Sequence, residues 1–334
     1  MIKSGHYAEK SLADTMQALA LNKTLSYRQD LPKPVPAANE ALIRLSLAGI
    51  CATDLQLTKG YADFSGIPGH EFVGVVEAVN NAEHQPWLQQ RVVGSINIGC
   101  GRCPACLSLG PEHCRQRKVL GIRDHDGVFA DYFTLPVNNL YALPDEISDE
   151  CAVFTEPLAA ACRVAQQLND LGLKQVAVLG PGRLGLLIAQ TLALQDFQVL
   201  VLGRSPASLQ LPEQWGLNCR LVSDIADQQF PCVVDASGSA AGFQQALRIL
   251  QARGYLLLKS TFPALEPVDL SKIVVHELQV LGSRCGPFSQ ALALLKQQQI
   301  PLSDLIDGRY ALQDGLDAFR QAGQTGVRKI LLHP

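Results

Sequence analysis

The apolar positions of this chain change rhythm near residue 150, and the change divides the molecule in two. Before it, apolar and polar residues alternate in short runs. Met16-Gln-Ala-Leu-Ala-Leu and Ala41–Ala48 read as strands with one buried face. Asp30-Leu-Pro-Lys-Pro-Val-Pro reads as a loop, because its three prolines fix φ and remove backbone donors. From there to Leu143, Gly, Pro and Asn turns separate further short strands, and no long helical stripe appears. That texture predicts an irregular, mostly β domain. The first fifteen residues carry no period and read as an N-terminal extension.

Beyond Asp149 the period lengthens. Ala152–Leu168 and Arg183–Gln195 read as helices. Six short apolar runs read as strands: Gln175–Gly180, Gln198–Gly203, Cys219–Ser223, Cys232–Asp235, Tyr255–Lys259 and Leu278–Gly282. Their alternation with helical segments predicts an α/β unit, a doubly wound parallel sheet covered on both faces. After Phe288 a helix and two short elements remain, and this tail is expected to return to the first domain. The expected units are residues 16–150 with 287–334, residues 151–286, and the extension 1–15.

A length of 334 residues suits two domains. With 47% hydrophobic and 18% charged residues, the chain has the balance of a folded globular protein. A net charge of −3 gives no electrostatic case for nucleic acid or an anionic membrane as partner. The first residues lack an apolar signal core, and no apolar run reaches about 18 residues, so a cytoplasmic location is expected. Ten cysteines in that compartment point to metal rather than to disulfides. Cys151, Cys162, Cys219 and Cys232 read as small core residues, while Cys285 stays a candidate pocket residue.

Cys100, Cys103, Cys106 and Cys114 follow the spacing C-x2-C-x2-C-x7-C. Four thiolates this close need a cation, and four sulfurs close a tetrahedral zinc with no vacancy, which makes the site structural. Gly180-Pro181-Gly182-Arg183-Leu184-Gly185 follows a strand and opens a helix, the context that turns G-x-G-x-x-G into a dinucleotide cradle. The next strand ends in Gly203-Arg204-Ser205, without the carboxylate that holds ribose hydroxyls in NAD sites. A guanidinium there can take a 2′-phosphate, so NADP(H) is favoured over NAD(H).

Three distant segments share a second chemistry. Gly49-Ile-Cys51-Ala-Thr53-Asp54 offers a thiolate, a hydroxyl and a carboxylate; Gly69-His70-Glu71 an imidazole and a carboxylate; Glu156-Pro-Leu-Ala another carboxylate. One thiolate, one imidazole and one carboxylate make a three-ligand zinc site with an open fourth position, the requirement of a catalytic zinc.

In this order the motifs give the chain, from about Met16 to its end, a resemblance to the zinc-dependent medium-chain dehydrogenase/reductase superfamily of alcohol, sorbitol and threonine dehydrogenases. The resemblance implies a GroES-like catalytic domain beside a Rossmann domain and two zinc ions per chain. It implies that Cys51 and His70 bind the catalytic zinc, with Glu71 and Glu156 as alternative carboxylate ligands. Asp54 would orient His70. Zinc would act as Lewis acid, Thr53 would relay the hydroxyl proton, and hydride would pass to the nicotinamide. Gln56 stands where many relatives carry a relay histidine, and Asn80 where they usually carry glycine. The resemblance also implies a homodimer or homotetramer, with Leu278–Gly282 as the pairing edge. The expected substrate is a small polar alcohol or its carbonyl: a secondary alcohol, polyol, sugar or amino alcohol. Tyr61, Phe64, His125 and Phe288 are candidate pocket residues. The competing readings are a zinc-free quinone or enoyl reductase of this fold and a catalytically retired nucleotide-binding protein.

Overall fold

The computed structural model describes residues 15–261 and 269–334. The chain opens with an antiparallel hairpin, β1 (Thr15–Asn22) and β2 (Thr24–Pro32). β2 takes in Asp30–Pro32, the start of the stretch read as a loop. Its proline is tolerated at the last position, where the ladder ends. This strand is polar and largely exposed, so hydrophobic patterning carries no trace of it.

The first lobe continues through β3 (Glu40–Gly49), α1 (Ala52–Leu57), β4 (Glu71–Val79), β5 (Arg91–Gly94), β6 (Asn97–Ile98) and α2 (Pro104–Ser108). It goes on through β7 (Lys118–Val119), β8 (Tyr132–Pro136) and β9 (Leu140–Ala142). Its core gathers Ile43, Leu45, Phe72, Phe129, Phe133 and Leu135, with Phe72 and Phe133 edge to face at 4.8 Å.

Where one helix is expected over 152–168, there are two, α3 (Asp149–Ala152) and α4 (Thr155–Asp170). Pro157 explains the break. In the first turn of α4 its missing N–H costs nothing, but its ring would collide with the carbonyl of residue 153 in a continuous helix. Glu156 is thereby fixed in the opening turn of α4.

The second lobe is built from β10 (Gln175–Leu179), α5 (Arg183–Ala193), β11 (Gln198–Gly203), α6 (Pro206–Gln214), β12 (Cys219–Leu221) and β13 (Phe230–Asp235). It closes with α7 (Ala240–Ile249), β14 (Leu250–Leu258), α8 (Leu270–Val275) and β15 (Gln279–Gly282). The six strands run parallel in the order β12-β11-β10-β13-β14-β15, the doubly wound arrangement, with an apolar cluster on each face. β14 starts five residues before the apolar run that betrays it, because Gln251 and Arg253 near its start are exposed.

The tail forms α9 (Phe288–Lys296), β16 (Ile306–Ala311), α10 (Gly315–Ala322) and β17 (Lys329–His333). α9 packs on the second lobe through Phe288, Ala291, Leu294 and Leu295. The last strands join the first lobe's sheet, in the order β16-β17-β3-β4-β5-β9 with β8 also on β3. β17 pairs antiparallel with β3, Leu331 opposite Gly49 and Leu332 opposite Ala48. This brings the end of the chain to the segment that leads into Cys51.

Candidate metal and dinucleotide site

Cys51 is the N-cap of α1, and Asp54 is its N3 residue. The Asp54 carboxylate returns to the cap, Oδ2 accepting from the Cys51 backbone N–H at 2.7 Å. Its Oδ1 faces Nδ1 of His70 at 3.2 Å, off the line of a good hydrogen bond. One buried carboxylate therefore fixes both the thiol's backbone and the imidazole, leaving His70 Nε2 free for a ligand. The ligand atoms of Cys51, His70 and Glu71 all lie within 4.8 Å of one another. Burial opposes charge on His70, yet Asp54 and the Cys51 sulfur hold its pKa well above the ordinary imidazole range. A buried imidazole that draws a proton marks a site short of positive charge, and this donor set suits zinc.

Glu71 has a partner that sequence reading missed. The ammonium of Lys329, on β17, donates to Glu71 Oε2, and both residues are buried. Gly49 makes room for the pair: a Cβ there would stand 2.6 Å from Glu71 Oε2 and 3.2 Å from the Lys329 chain. The only hint in the sequence is a lysine heading an apolar strand, Lys329-Ile-Leu-Leu. Glu156 stands outside the close group but lines the same cavity. Burial, then Glu71, raise its pKa against the opposing pull of His70.

That cavity, about 350 Å³, is lined by Cys51, Thr53, Glu71, Glu156, Arg183, Leu184, Ser237 and Lys259, among others. Thr53 Oγ1 lies 3.9 Å from Cys51 Sγ. Tyr61, Phe64, His125 and Phe288 do not line it. Phe288 instead stacks on Tyr141 at 5.2 Å in the core. Cys285, the candidate pocket cysteine, does not line the cavity either; its sulfur accepts from Asn97 Nδ2 at 3.1 Å.

A second cavity of about 660 Å³ lies over the carboxyl ends of the parallel strands. Gly180, Pro181, Gly182, Arg183, Arg204 and Ser205 line it, while Leu184 faces the metal cavity. Gly180 has φ +96, and a Cβ there would meet Ser237 Cα at 2.6 Å. A Cβ on Gly185 would meet the Gly180 carbonyl at 2.0 Å, whereas one on Gly182 would meet nothing within 4 Å. Turn, close packing and open approach are divided among the three as a pyrophosphate cradle requires. Gly203 packs under Ser208 and Leu209 and does not line the cavity. The two cavities share Arg183, Ala236, Ser237 and Arg328.

The cysteine quartet stands apart on the first lobe. All four sulfurs lie within 4.8 Å of one another, with Cys100–Cys106 and Cys103–Cys114 both at 3.9 Å and no disulfide. Zn–S bonds of about 2.3 Å in a tetrahedron give sulfur–sulfur edges of about 3.8 Å. The backbone N–H of Cys106 donates to Cys103 Sγ and that of Cys100 to Cys114 Sγ, contacts that favour thiolates. The residues fit the ion.

Residues 37–145 match the model of the alcohol dehydrogenase GroES-like domain. An L-threonine 3-dehydrogenase of Chelativorans sp. is 27% identical over 325 residues, covering 90% of this chain and 93% of its own. A sorbitol dehydrogenase of Halalkalibacterium halodurans is 27% identical over 330 residues, 92% of this chain and 95% of its own. A protein from Sinorhizobium meliloti, assigned as a zinc-binding dehydrogenase and solved with NADP, superposes with a TM-score of 0.85 at 28% identity. That match covers 96% of this chain and 99% of the other. Two lobes in this order, with similarity carried along nearly the whole length, make the chain similar in fold and sequence to zinc-binding medium-chain dehydrogenases, and its residues 37–145 match their GroES-like domain.

Proposed function

We propose that this protein oxidises the secondary carbinol of a small polar alcohol, polyol or amino alcohol, or reduces the matching carbonyl, with NAD(P) as hydride partner. The observation that carries the reading is the continuity of the two cavities. The Cys51 thiol and the Glu71 and Glu156 carboxylates line one, with the buried His70 ligand atom within 4.8 Å of those of Cys51 and Glu71; the glycine cradle lines the other, and four residues are common to both. Cys51, His70 and Glu71 would hold the catalytic zinc, with Glu156 facing it; Cys100, Cys103, Cys106 and Cys114 would hold a second, structural zinc. When bound, zinc supplies Lewis acidity at the carbinol oxygen and the nicotinamide supplies the hydride acceptor.

The chain's own groups do the positioning. Asp54 holds His70 and the Cys51 backbone in register. Thr53 reaches the cavity with a hydroxyl that can accept the substrate's proton as a hydrogen bond. Phe154, Pro157, Leu184 and Leu187 make the apolar wall that excludes water from the reacting carbon. Arg204 and Ser205 line the cavity where an adenosine ribose would lie, which supports a preference for NADP(H).

Residues 16–150 with 287–334 would form the catalytic unit and 151–286 the nucleotide unit. The outer strand β15 and α8 expose Val274, Val275 and Val280, an apolar edge through which two copies would pair. Among the described residues no helix is long and apolar enough to cross a membrane.

The test is metal content with activity. Cys51→Ser and His70→Ala should each lower zinc from two per chain to one and abolish alcohol-dependent NAD(P) reduction. Glu71→Gln against Glu156→Gln, read the same way, identifies the carboxylate ligand. Full activity in either of the first two variants would overturn the assignment. Arg204→Ala should cut kcat/KM for NADPH about 10-fold or more and leave NADH nearly unchanged.

A further inference from the structure

One wall of the metal cavity carries a cation that hydride transfer itself does not need. Lys259 follows directly on β14, and its backbone N–H donates to the Asp235 carbonyl at 3.0 Å, which holds it at the carboxyl ends of two central strands. Its ammonium donates to Ser283 Oγ at 3.3 Å, on the loop after β15. Among the described residues it makes no ion pair. Cys285 and then Glu156, the one carboxylate whose field reaches it, favour its charge, against burial and the like charges of Arg163 and Arg284. Those two are also without a carboxylate partner among the described residues: Arg284 donates to Asn97 Oδ1 at 3.2 Å and Arg163 to Gln166 Oε1 at 3.4 Å.

Of the three cations, only Lys259 lines the cavity, with Arg163 and Arg284 outside its lining. Of the two carboxylates that line it, Glu71 is taken by Lys329, which leaves Glu156 to face Lys259 and positive charge in excess behind this wall, in a poorly solvated place. That costs free energy unless an anion joins it. The phosphates of the dinucleotide are not the natural candidate. Arg183 and Arg328 line the passage between the two cavities, whereas Lys259 lines only the metal cavity.

We propose that the substrate is an anionic polyol, a sugar acid or a polyol phosphate, whose anionic group is bound by the Lys259 ammonium with the Ser283 hydroxyl beside it. The proposal rests on the activity above and narrows its substrate class. The carbinol to be oxidised lies toward Cys51 and Thr53, the charged end toward Lys259. Arg284 and Arg163 add attraction without touching the ligand. A cavity of about 350 Å³ is at the small end of ligand sites and suits a short-chain molecule.

The experiment compares kcat/KM of the zinc-loaded enzyme for matched four- to six-carbon alditols, aldonates and alditol phosphates, and binding of the same compounds to the enzyme–NAD(P)H complex by calorimetry. At least one anionic member should exceed its neutral partner about 10-fold or more, the increment of a charge-assisted hydrogen bond. Whether aldonate or phosphate wins distinguishes the two sources of the anion. Lys259→Gln should reduce the anionic-to-neutral ratio about 10- to 100-fold, and Lys259→Arg should retain most of it. Neutral alditols turned over as well as every anionic partner would overturn the proposal and leave the dehydrogenase reading standing. So would anion binding that Lys259→Gln leaves unchanged. If no alcohol of any charge is oxidised, the activity reading fails, and the calorimetric ratio still decides whether Lys259 binds an anion.

Discussion

Lys329→Met tests whether the ion pair at the floor of the site holds it together. Methionine keeps an unbranched chain of similar reach and removes the charge, so it can still lie near Phe154, whose ring is 5.5 Å from the ammonium. Glu71 is 1% exposed and loses its cation. Removing one partner of a buried pair costs about 3–5 kcal/mol. At about 2–4 °C per kcal/mol for a unit of this size, the metal-stripped variant should melt about 6–20 °C lower. Zinc, ligated by the same carboxylate, would replace the missing charge, so the deficit should shrink on metal loading. Glu71→Gln with Lys329→Met removes both charges and should recover most of the loss.

Urea unfolding followed by tryptophan fluorescence is the assay. The chain has two tryptophans; Trp87 packs against the core of the first lobe and Trp215 against that of the second. A Trp215→Phe background, which loses the bond to Asp304 and part of the packing on the second lobe, leaves Trp87 to report the lobe that holds the pair. The reasoning is refuted if the metal-stripped single variant lies within about 1 kcal/mol of its parent, or if the double variant is no more stable than the single.

Cys114→Ser should remove one zinc per chain and destabilise the first lobe, while Cys51 and His70 keep their ion; loss of both metals on elemental analysis would contradict the separation of the two clusters. Gly180→Ala should disturb the fold, since its Cβ would stand 2.6 Å from Ser237 Cα, whereas Gly182→Val should leave melting unchanged and weaken NAD(P)H binding about 10-fold or more. Titrated fluorescence of the reduced cofactor reads both. Burial, with Arg163 and Arg284, lowers the Lys259 pKa to about 8 against the opposing effect of Cys285 and Glu156. Its charge is therefore present at pH 7 and lost as pH rises through about 8. The anionic-to-neutral kcat/KM ratio should fall over that interval in the parent and stay flat in Lys259→Arg; a flat profile in the parent would separate the preference from Lys259.

The second lobe was the more legible because parallel strands are buried on both faces and appear as apolar runs. The runs at Gln175 and Gln198 match β10 and β11 within a residue. The first lobe hid more. β2 is exposed, and β6 and β7 are two residues each, too short for any period. The cysteine and histidine positions were legible because metal chemistry admits few residue types at short spacing. Gly180, Gly182 and Gly185 were legible for a related reason, since each glycine answers a steric demand. Pocket aromatics were not, since Phe288 packs in a core with the same composition a pocket wall would have.

The lysines were invisible for a different reason, which also bears on how the site assembles. A cysteine quartet within fifteen residues can form while the rest of the chain is unfolded, so its pattern is local. Glu71 finds its cation 258 residues away, on a strand that reaches it only after β17 has paired with β3. Lys259 comes from the other lobe and depends on β14 lying between β13 and β15. Glu71 is thus paired, and Glu156 faced without an ion pair, by parts of the fold completed late in sequence. An incompletely folded chain would hold Glu71 and Glu156 without these cations, and like charges would oppose closing the cluster. The open metal site is therefore a property of the assembled molecule, whereas the closed one belongs to a single loop.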